Sequence, residues 1–160
     1  MARRASVAQG QALVTVWERS IRENYFGRGS EKDGRHSEAT QALKVFNTTF
    51  QKINKTKAPN AHLAPLWGLV TRAMDVSLQD AAYLFLFSHA RTVVSAAVRA
   101  NVLGPYQAQG VLANSELQIR IRELVEEGWE RSTEDAGQCV PVMDLWVGRH
   151  EKLYSRIFNS

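Results

Sequence analysis

A single cysteine, Cys139, is the only thiol in this chain of 160 residues. One thiol builds no intramolecular disulfide framework, which points to a reducing compartment. Long hydrophobic runs are also scarce. The longest, residues 81–87, is far too short to span a bilayer, and His89 and Arg91 follow it closely. The start Met1-Ala2-Arg3-Arg4 is basic, but residues 5–11 are too polar for the apolar segment of a secretion signal. Together these features predict a cytoplasmic protein that does not enter a membrane.

Catalytic motifs are missing in the same way. The glycines of residues 27–36 lack the GK[ST] of a phosphate-binding loop and read as plain flexibility. Ser88 stands in no G-x-S-x-G turn, so no nucleophile elbow is present. His150-Glu151 invites a zinc-hydrolase reading, but H-E-x-x-H needs a second histidine where this chain has Tyr154. Cys139 precedes His150 by eleven residues, which matches no recognised zinc spacing. His89 falls within an apolar helical pattern and reads as a hydrogen-bonded core histidine rather than a ligand or base.

What the chain does contain is an ordinary globular composition, 44% apolar and 22% charged, with a net charge of +4. The charge is unevenly spread. Residues 1–57 hold eleven Lys/Arg against five Asp/Glu, whereas residues 114–135 hold three against seven. Such asymmetry suits a protein that meets charged partners at different faces. The basic residues lie on separate helical segments rather than in one stripe, which argues against a nucleic-acid surface.

Apolar periodicity predicts an all-α bundle, with no run alternating as a strand. A first helix covers residues 5–25, with Leu13, Val16, Trp17 and Ile21 on one face and Gly27 ending it. Ser37 is placed to cap a second, seamed by Leu43, Phe46, Phe50 and Ile53. Residues 54–60 form a connection, and a short third helix starts near Pro65 and runs to Met74. Ser77 and Asp80 have capping-box spacing for a fourth helix, residues 78–101. It is apolar around most of its circumference, which predicts that it is the buried, central helix of the bundle. Arg91 and Arg99 lie eight residues apart on about one face of it; Arg99 is expected at an edge where it can grip a partner, against the alternative of an internal salt bridge. Gly104-Pro105 breaks that helix, and a short turn of helix covers residues 107–113. Ser115 is placed to cap a last long helix with Leu117, Ile121, Leu124, Val125 and Trp129 as its buried stripe. Residues 132–141 read as a loop.

The closing stretch, residues 143–160, is amphipathic. Trp146, His150, Leu153, Tyr154 and Ile157 recur at helical spacing, with Arg149, Lys152 and Arg156 on the other side. Aromatics so near a chain end imply docking, either onto the chain's own core or onto a partner. The run Arg149-His150-Glu151-Lys152-Leu153-Tyr154-Ser155-Arg156-Ile157-Phe158-Asn159-Ser160 resembles the RHE-x-x-YSRLF-x-S ending of UreF-type urease accessory proteins, with Ile157 for the usual Leu. Three further segments resemble the same family. They are Arg4-Ala5-Ser6-Val7-Ala8-Gln9-Gly10-Gln11-Ala12-Leu13; His62-Leu63-Ala64-Pro65-Leu66-Trp67-Gly68; and residues 95–109, from Ser95-Ala96-Ala97-Val98-Arg99 through Leu103-Gly104 to Gln107 and Gln109. Family members are longer, and open with a Pro-Gly-aromatic segment and several helices that have no counterpart ahead of Arg4. The chain is therefore expected to correspond to the C-terminal part of the family pattern, as a truncated or natural short form.

The resemblance implies an all-helical, non-catalytic assembly factor that dimerises, joins a UreD-type (also called UreH) accessory protein, and recruits the GTPase UreG so that nickel reaches the urease active site. It implies no stably bound cofactor, nickel being handled by the complex. Residues 1–142 would form the helical domain and residues 143–160 its docking segment. Partner contacts would fall on Arg99, Gln107, Arg149, His150, Glu151, Tyr154, Ser155, Arg156 and Phe158, with Leu153, Ile157 and Phe158 anchoring the tail. Two alternatives of other classes are a small metal-dependent hydrolase using His150 and Glu151, and a helical nucleic-acid binder using the basic first 57 residues.

Overall fold

The structure is a computed structural model and describes residues 2–22, 34–52, 61–135, 137 and 141–150. Among these residues the fold is all-α, with no strand. The chain divides into two compact units, Ala2–Ala81 and Ala82–Ser160.

In the first unit, α1 (Ala2–Val16) runs directly into a π-helical turn, Trp17–Ile21. The wider turn closes when the Arg22 N–H reaches the Trp17 carbonyl, and the Arg22 guanidinium pairs with Glu18 at 2.9 Å. Val14 and Trp17 are its buried hydrophobic side chains, with Leu13 and Ile21 half-buried beside them, whereas Val16 is exposed. The expected face was therefore off by one neighbour: positions 14, 17 and 21 share a stripe, and Val16 stands to its side.

Helix α2 (Gly34–Lys52) begins three residues before Ser37, which lies within the helix instead of capping it. Leu43 is fully buried, with Ala39 one turn before it buried and Phe46 partly so. The Phe50 side chain, Ile53, Gly27 and residues 54–60 lie outside the described residues. Helix α3 (Leu63–Ala73) carries Pro65 in its first turn, where no hydrogen bond is lost, as expected. Leu66, Val70 and Ala73 bury one stripe of α3 against Val14, Trp17, Ala39 and Leu43. This three-helix cluster is the hydrophobic core.

Two small residues on α1 determine how closely it meets α3. A Cβ built on Gly10 would lie 2.0 Å from the Ala61 carbonyl oxygen, so only glycine permits this approach of backbone to backbone. One turn earlier, the Ser6 hydroxyl accepts the Leu63 N–H at 3.2 Å and lies 3.3 Å from His62 Nδ1. Ser6 thus caps α3 from a different helix, satisfying an N–H that its own helix cannot.

Helix α3 stops at Met74, and Asp75 takes the left-handed conformation at φ 56°. The Val76 N–H then reaches back to the Thr71 carbonyl at 3.0 Å, the hydrogen bond of a Schellman ending. Ser77 caps α4 (Leu78–Arg99), as its spacing with Asp80 predicts: the Asp80 N–H donates to Ser77 Oγ at 3.1 Å, and the Asp80 carboxylate accepts that hydroxyl at 2.6 Å in place of the Ser77 N–H of a full capping box. Trp67 ties the two helices together by donating its indole N–H to the Ala81 carbonyl at 2.9 Å.

In the second unit, α4 continues to Arg99 and closes on Asn101, again left-handed at φ 57°, with the Val102 N–H on the Ala97 carbonyl. Helix α5 (Pro105–Ala113) begins at the Gly-Pro break. Asn114, not Ser115, caps α6 (Ser115–Gly128), its Oδ1 accepting the Glu116 N–H at 2.7 Å. Either residue type caps well; the extended backbone falls on Asn114 because α5 ends there. A 3-10 turn, Thr133–Asp135, lies in the stretch expected to be loop, and α7 (Pro141–His150) follows.

The expectation that the helix from Leu78 is the buried centre of the bundle is overturned. Ala81 is its one buried residue, while Leu78 is 71% exposed and Val93 58%. Apolarity around a whole helix signals burial only where the chain supplies a cover on every side. Here the core lies on α1, α2 and α3 instead.

Candidate docking surface

Within the second unit, two aromatics stack along α4, and an arginine of α6 reaches them. Tyr83 and Phe87, one turn apart, lie nearly parallel with centroids 6.2 Å apart, and the Arg122 guanidinium sits 5.7 Å from the Tyr83 centroid. Ile121 of α6 and Ala108 of α5 are buried, and the Gln118 side chain donates to the Leu112 carbonyl at 2.7 Å across the α5–α6 turn. These contacts leave much apolar surface uncovered. Leu117 and Val125 are only half-buried, and Leu124 and Trp129 of the expected buried stripe are exposed. Tyr106 is 91% exposed at the start of α5. On α7, Val142, Met143, Leu145 and Trp146 are all exposed, Trp146 at 66%.

The polar side of the unit is acidic and internally paired. Arg120 bonds Glu123 at 2.9 Å and Glu127 at 3.2 Å, which holds its guanidinium more firmly protonated than usual. Glu134 is held below the ordinary carboxylate range by its own backbone N–H and by the Ser132 and Thr133 hydroxyls. Neither is a catalytic arrangement. Among the described residues no three His, Cys, Asp or Glu side chains are grouped to hold a metal ion.

Of the residues expected to meet partners, Arg99 is the exposed last residue of α4. Gln107 sits across the same corner, where its Oε1 accepts the Gly104 N–H at 2.9 Å and so fixes the start of α5. Arg149 is exposed near the end of α7, and His150 ends that helix. Glu151, Tyr154, Ser155, Arg156 and Phe158 lie outside the described residues, as do Leu153, Ile157 and Cys139. His89, expected in the core, is exposed on α4. The apolar residues around it suggested burial, but the helix that carries them is itself uncovered.

The sequence reading missed Ser6 and Gly10 as structural contacts and Tyr106 as an exposed aromatic. A signal existed for the first two: small residues four apart on a helix share one face and permit close approach. Helix α4 also meets the length and composition of a membrane span, with an 18-residue stretch of mean hydropathy 1.3 that is 6% buried. The search for uninterrupted apolar runs overlooked it because Ser, Thr, His and Arg break the run without lowering the average enough.

A model of the UreF family matches residues 1–116, a stretch that takes in the α1–α3 core, all of α4 and the corner bearing Arg99 and Gln107. The chain belongs to the UreF family. Among similar proteins, one of Schizosaccharomyces pombe described as an uncharacterized urease accessory protein UreF-like is 34% identical over 160 residues, covering all of this chain and 63% of that protein. Urease accessory protein 6 of Cryptococcus neoformans var. grubii is 32% identical over 184 residues, covering 99% of this chain and 58% of its own length. Urease accessory protein F of Oryza sativa subsp. indica is 29% identical over 162 residues, covering 99% and 52%. This UreF-family chain therefore spans between 52% and 63% of these relatives' lengths. No solved structure matches it at a significant level.

Proposed function

We propose that this UreF-family protein is a non-catalytic docking component in the maturation of urease. In this reading it forms a homodimer, binds a UreD/UreH-type accessory protein and brings a UreG-type GTPase to urease, while nickel passes through the complex as cargo. The family membership supports this role, and the observation that carries it at the molecular level is the uncovered apolar surface of α4, α5, α6 and α7. Exposed patches of this kind, rimmed by charge, mark surfaces that meet other proteins. On this reading partner contacts fall on Arg99 and Gln107 and, in the closing stretch of the sequence, on Arg149, His150, Glu151, Tyr154, Ser155, Arg156 and Phe158.

Protein rather than lipid is the proposed cover for α4. Ser88, His89, Arg91 and Thr92 fall near its midpoint. An arginine there would cost about 2.5–3.5 kcal/mol at a bilayer centre. A cytoplasmic location follows from the same assignment, and neither nucleic acid nor a membrane is a partner. The hydrolase and nucleic-acid alternatives gain no support from the described residues.

The test is reconstitution. Urease apoprotein, the UreD/UreH-type and UreG-type proteins, nickel and GTP are combined with and without this chain, and urease activity is followed. Activation that depends on the chain, together with its co-purification with the other accessory proteins, supports the reading. Equal activation without it would overturn the reading.

A further inference from the structure

The residues Arg3-Arg4-Ala5-Ser6-Val7 place two arginines three and two positions before a serine, followed by an aliphatic residue. That spacing is the recognition pattern of serine/threonine kinases whose substrate grooves carry carboxylates, because each guanidinium can take a bidentate carboxylate. We propose that Ser6 is a phosphorylation site for such an arginine-directed kinase, and that the modification parts the first turns of α1 from α3.

The hydroxyl delivered by the pattern is the one that holds the junction. Ser6 Oγ accepts the Leu63 N–H at 3.2 Å and lies 3.3 Å from His62 Nδ1. Access requires that the turn of α1 around Ser6 open locally. Local opening of a helical turn costs far less than global unfolding, and Arg4, Ala5, Ala8 and Gln9 around Ser6 are exposed. In the reaction Ser6 Oγ bonds to the γ-phosphorus of ATP as the bond from that phosphorus to the bridging oxygen breaks. ADP leaves, and the hydroxyl proton passes to the kinase's aspartate base.

The product cannot resume the original packing. Phosphorylation adds about −1.5 to −2 charges and a tetrahedral group. Gly10, on the same face one turn on, already leaves no room for a single carbon, since its Cβ would lie 2.0 Å from the Ala61 oxygen. The start of α3 offers the phosphate the Leu63 and Ala64 amides and His62 Nδ1, but no volume to hold it while α1 stays seated. Pro65 has no N–H, and the Leu66 N–H is turned back to the His62 carbonyl, so only Leu63 and Ala64 have amides to offer. The turns before Gly10 therefore lift away, while Val14 and Trp17 stay in the core.

The test treats the full chain with ATP and the catalytic subunit of an arginine-directed kinase, with a peptide of residues 2–12 as a parallel substrate. One phosphate per chain is expected, mapped to Ser6, absent in Ser6→Ala and reduced at least about tenfold in Arg3→Ala/Arg4→Ala, as expected for losing two charge-assisted pairs. Hydrogen exchange is then compared before and after phosphatase treatment of the same sample. The Leu63 amide, which Ser6 holds, should exchange about tenfold faster when phosphorylated, with the amides of α2 unchanged. Gly10→Ala serves as a reference for an opened junction that carries no phosphate. Failure to modify Ser6 in the full chain, whether or not the peptide is modified, overturns the site. Modification with unchanged exchange at Leu63 overturns the opening.

Discussion

Gly10 shows how far one atom's worth of space can matter. The backbone of α1 lies against the Ala61 carbonyl so closely that any side chain must displace either α1 or the segment leading into α3. Gly10→Ala is expected to destabilise the first unit by about 3 kcal/mol, the upper range for overpacking, despite alanine's better helix propensity. Urea denaturation followed by tryptophan fluorescence and circular dichroism reads this as a lowered midpoint, and an unchanged midpoint would refute the tight approach. Asn101 makes the opposite case. At φ 57° it already holds the helix-ending conformation that glycine adopts most easily. Asn101→Gly should be neutral or stabilising, and Asn101→Val should cost about 1–2 kcal/mol, since a branched side chain resists the left-handed region. A melt in which the two variants behave alike would contradict the assigned turn.

At the scale of elements, the helix boundaries reflect which local signals are decisive. The Ser77–Asp80 pair was legible because both residues stand in the sequence at capping spacing, and the structure makes the bond from the Asp80 N–H to the Ser77 hydroxyl, with the carboxylate taking the hydroxyl proton. Ser77→Ala should lower the stability of the segment joining α3 to α4 by about 1 kcal/mol. A thermal melt combined with exchange at the Asp80 amide measures it, and wild-type protection at Asp80 would count against the cap. Caps were misplaced where several candidates adjoined one another: Asn114 preceded Ser115, and α2 began ahead of Ser37. Propensity ranks such neighbours about equally, so the end of the preceding element decides. The larger misreading concerned α4. Its apolar circumference suggested the centre of a core, but burial is a property of what lies opposite, and periodicity within one helix carries no information about that. The core on α1, α2 and α3 was legible only in part, because Leu43, Trp17 and Leu13 were placed correctly whereas the close approach at Gly10 and Ala61 depends on residues distant in sequence.

For the molecule as a whole, two sets of observations fit together. The first unit contains a buried core, while the second keeps several large apolar side chains exposed on α4, α5, α6 and α7. A protein whose role is to bind others can hold its fold in one region and present apolar surface in another, at the expense of a tendency to associate. On the proposed function, the last helix and the residues beyond it anchor a partner. Trp146 and Leu145 are described and exposed, so their burial on binding would be new burial rather than a transfer from the core. A fully buried large apolar side chain is worth roughly 1.5–3 kcal/mol before ordering costs. Trp146→Ala should therefore weaken co-purification with a UreD/UreH-type partner by about 10- to 100-fold, following the free-energy scale of affinity. Tyr154→Ala, or removal of residues 149–160, is expected to abolish it. Circular dichroism of the same samples supplies the control, because the core residues Trp17, Leu43, Leu66 and Val70 are untouched. If binding persists in Trp146→Ala, α7 is not an anchor. If binding is lost together with the helical signal and the cooperative melt, the closing segment supports the fold of its own chain, and the partner surface must be sought on α4 and α5.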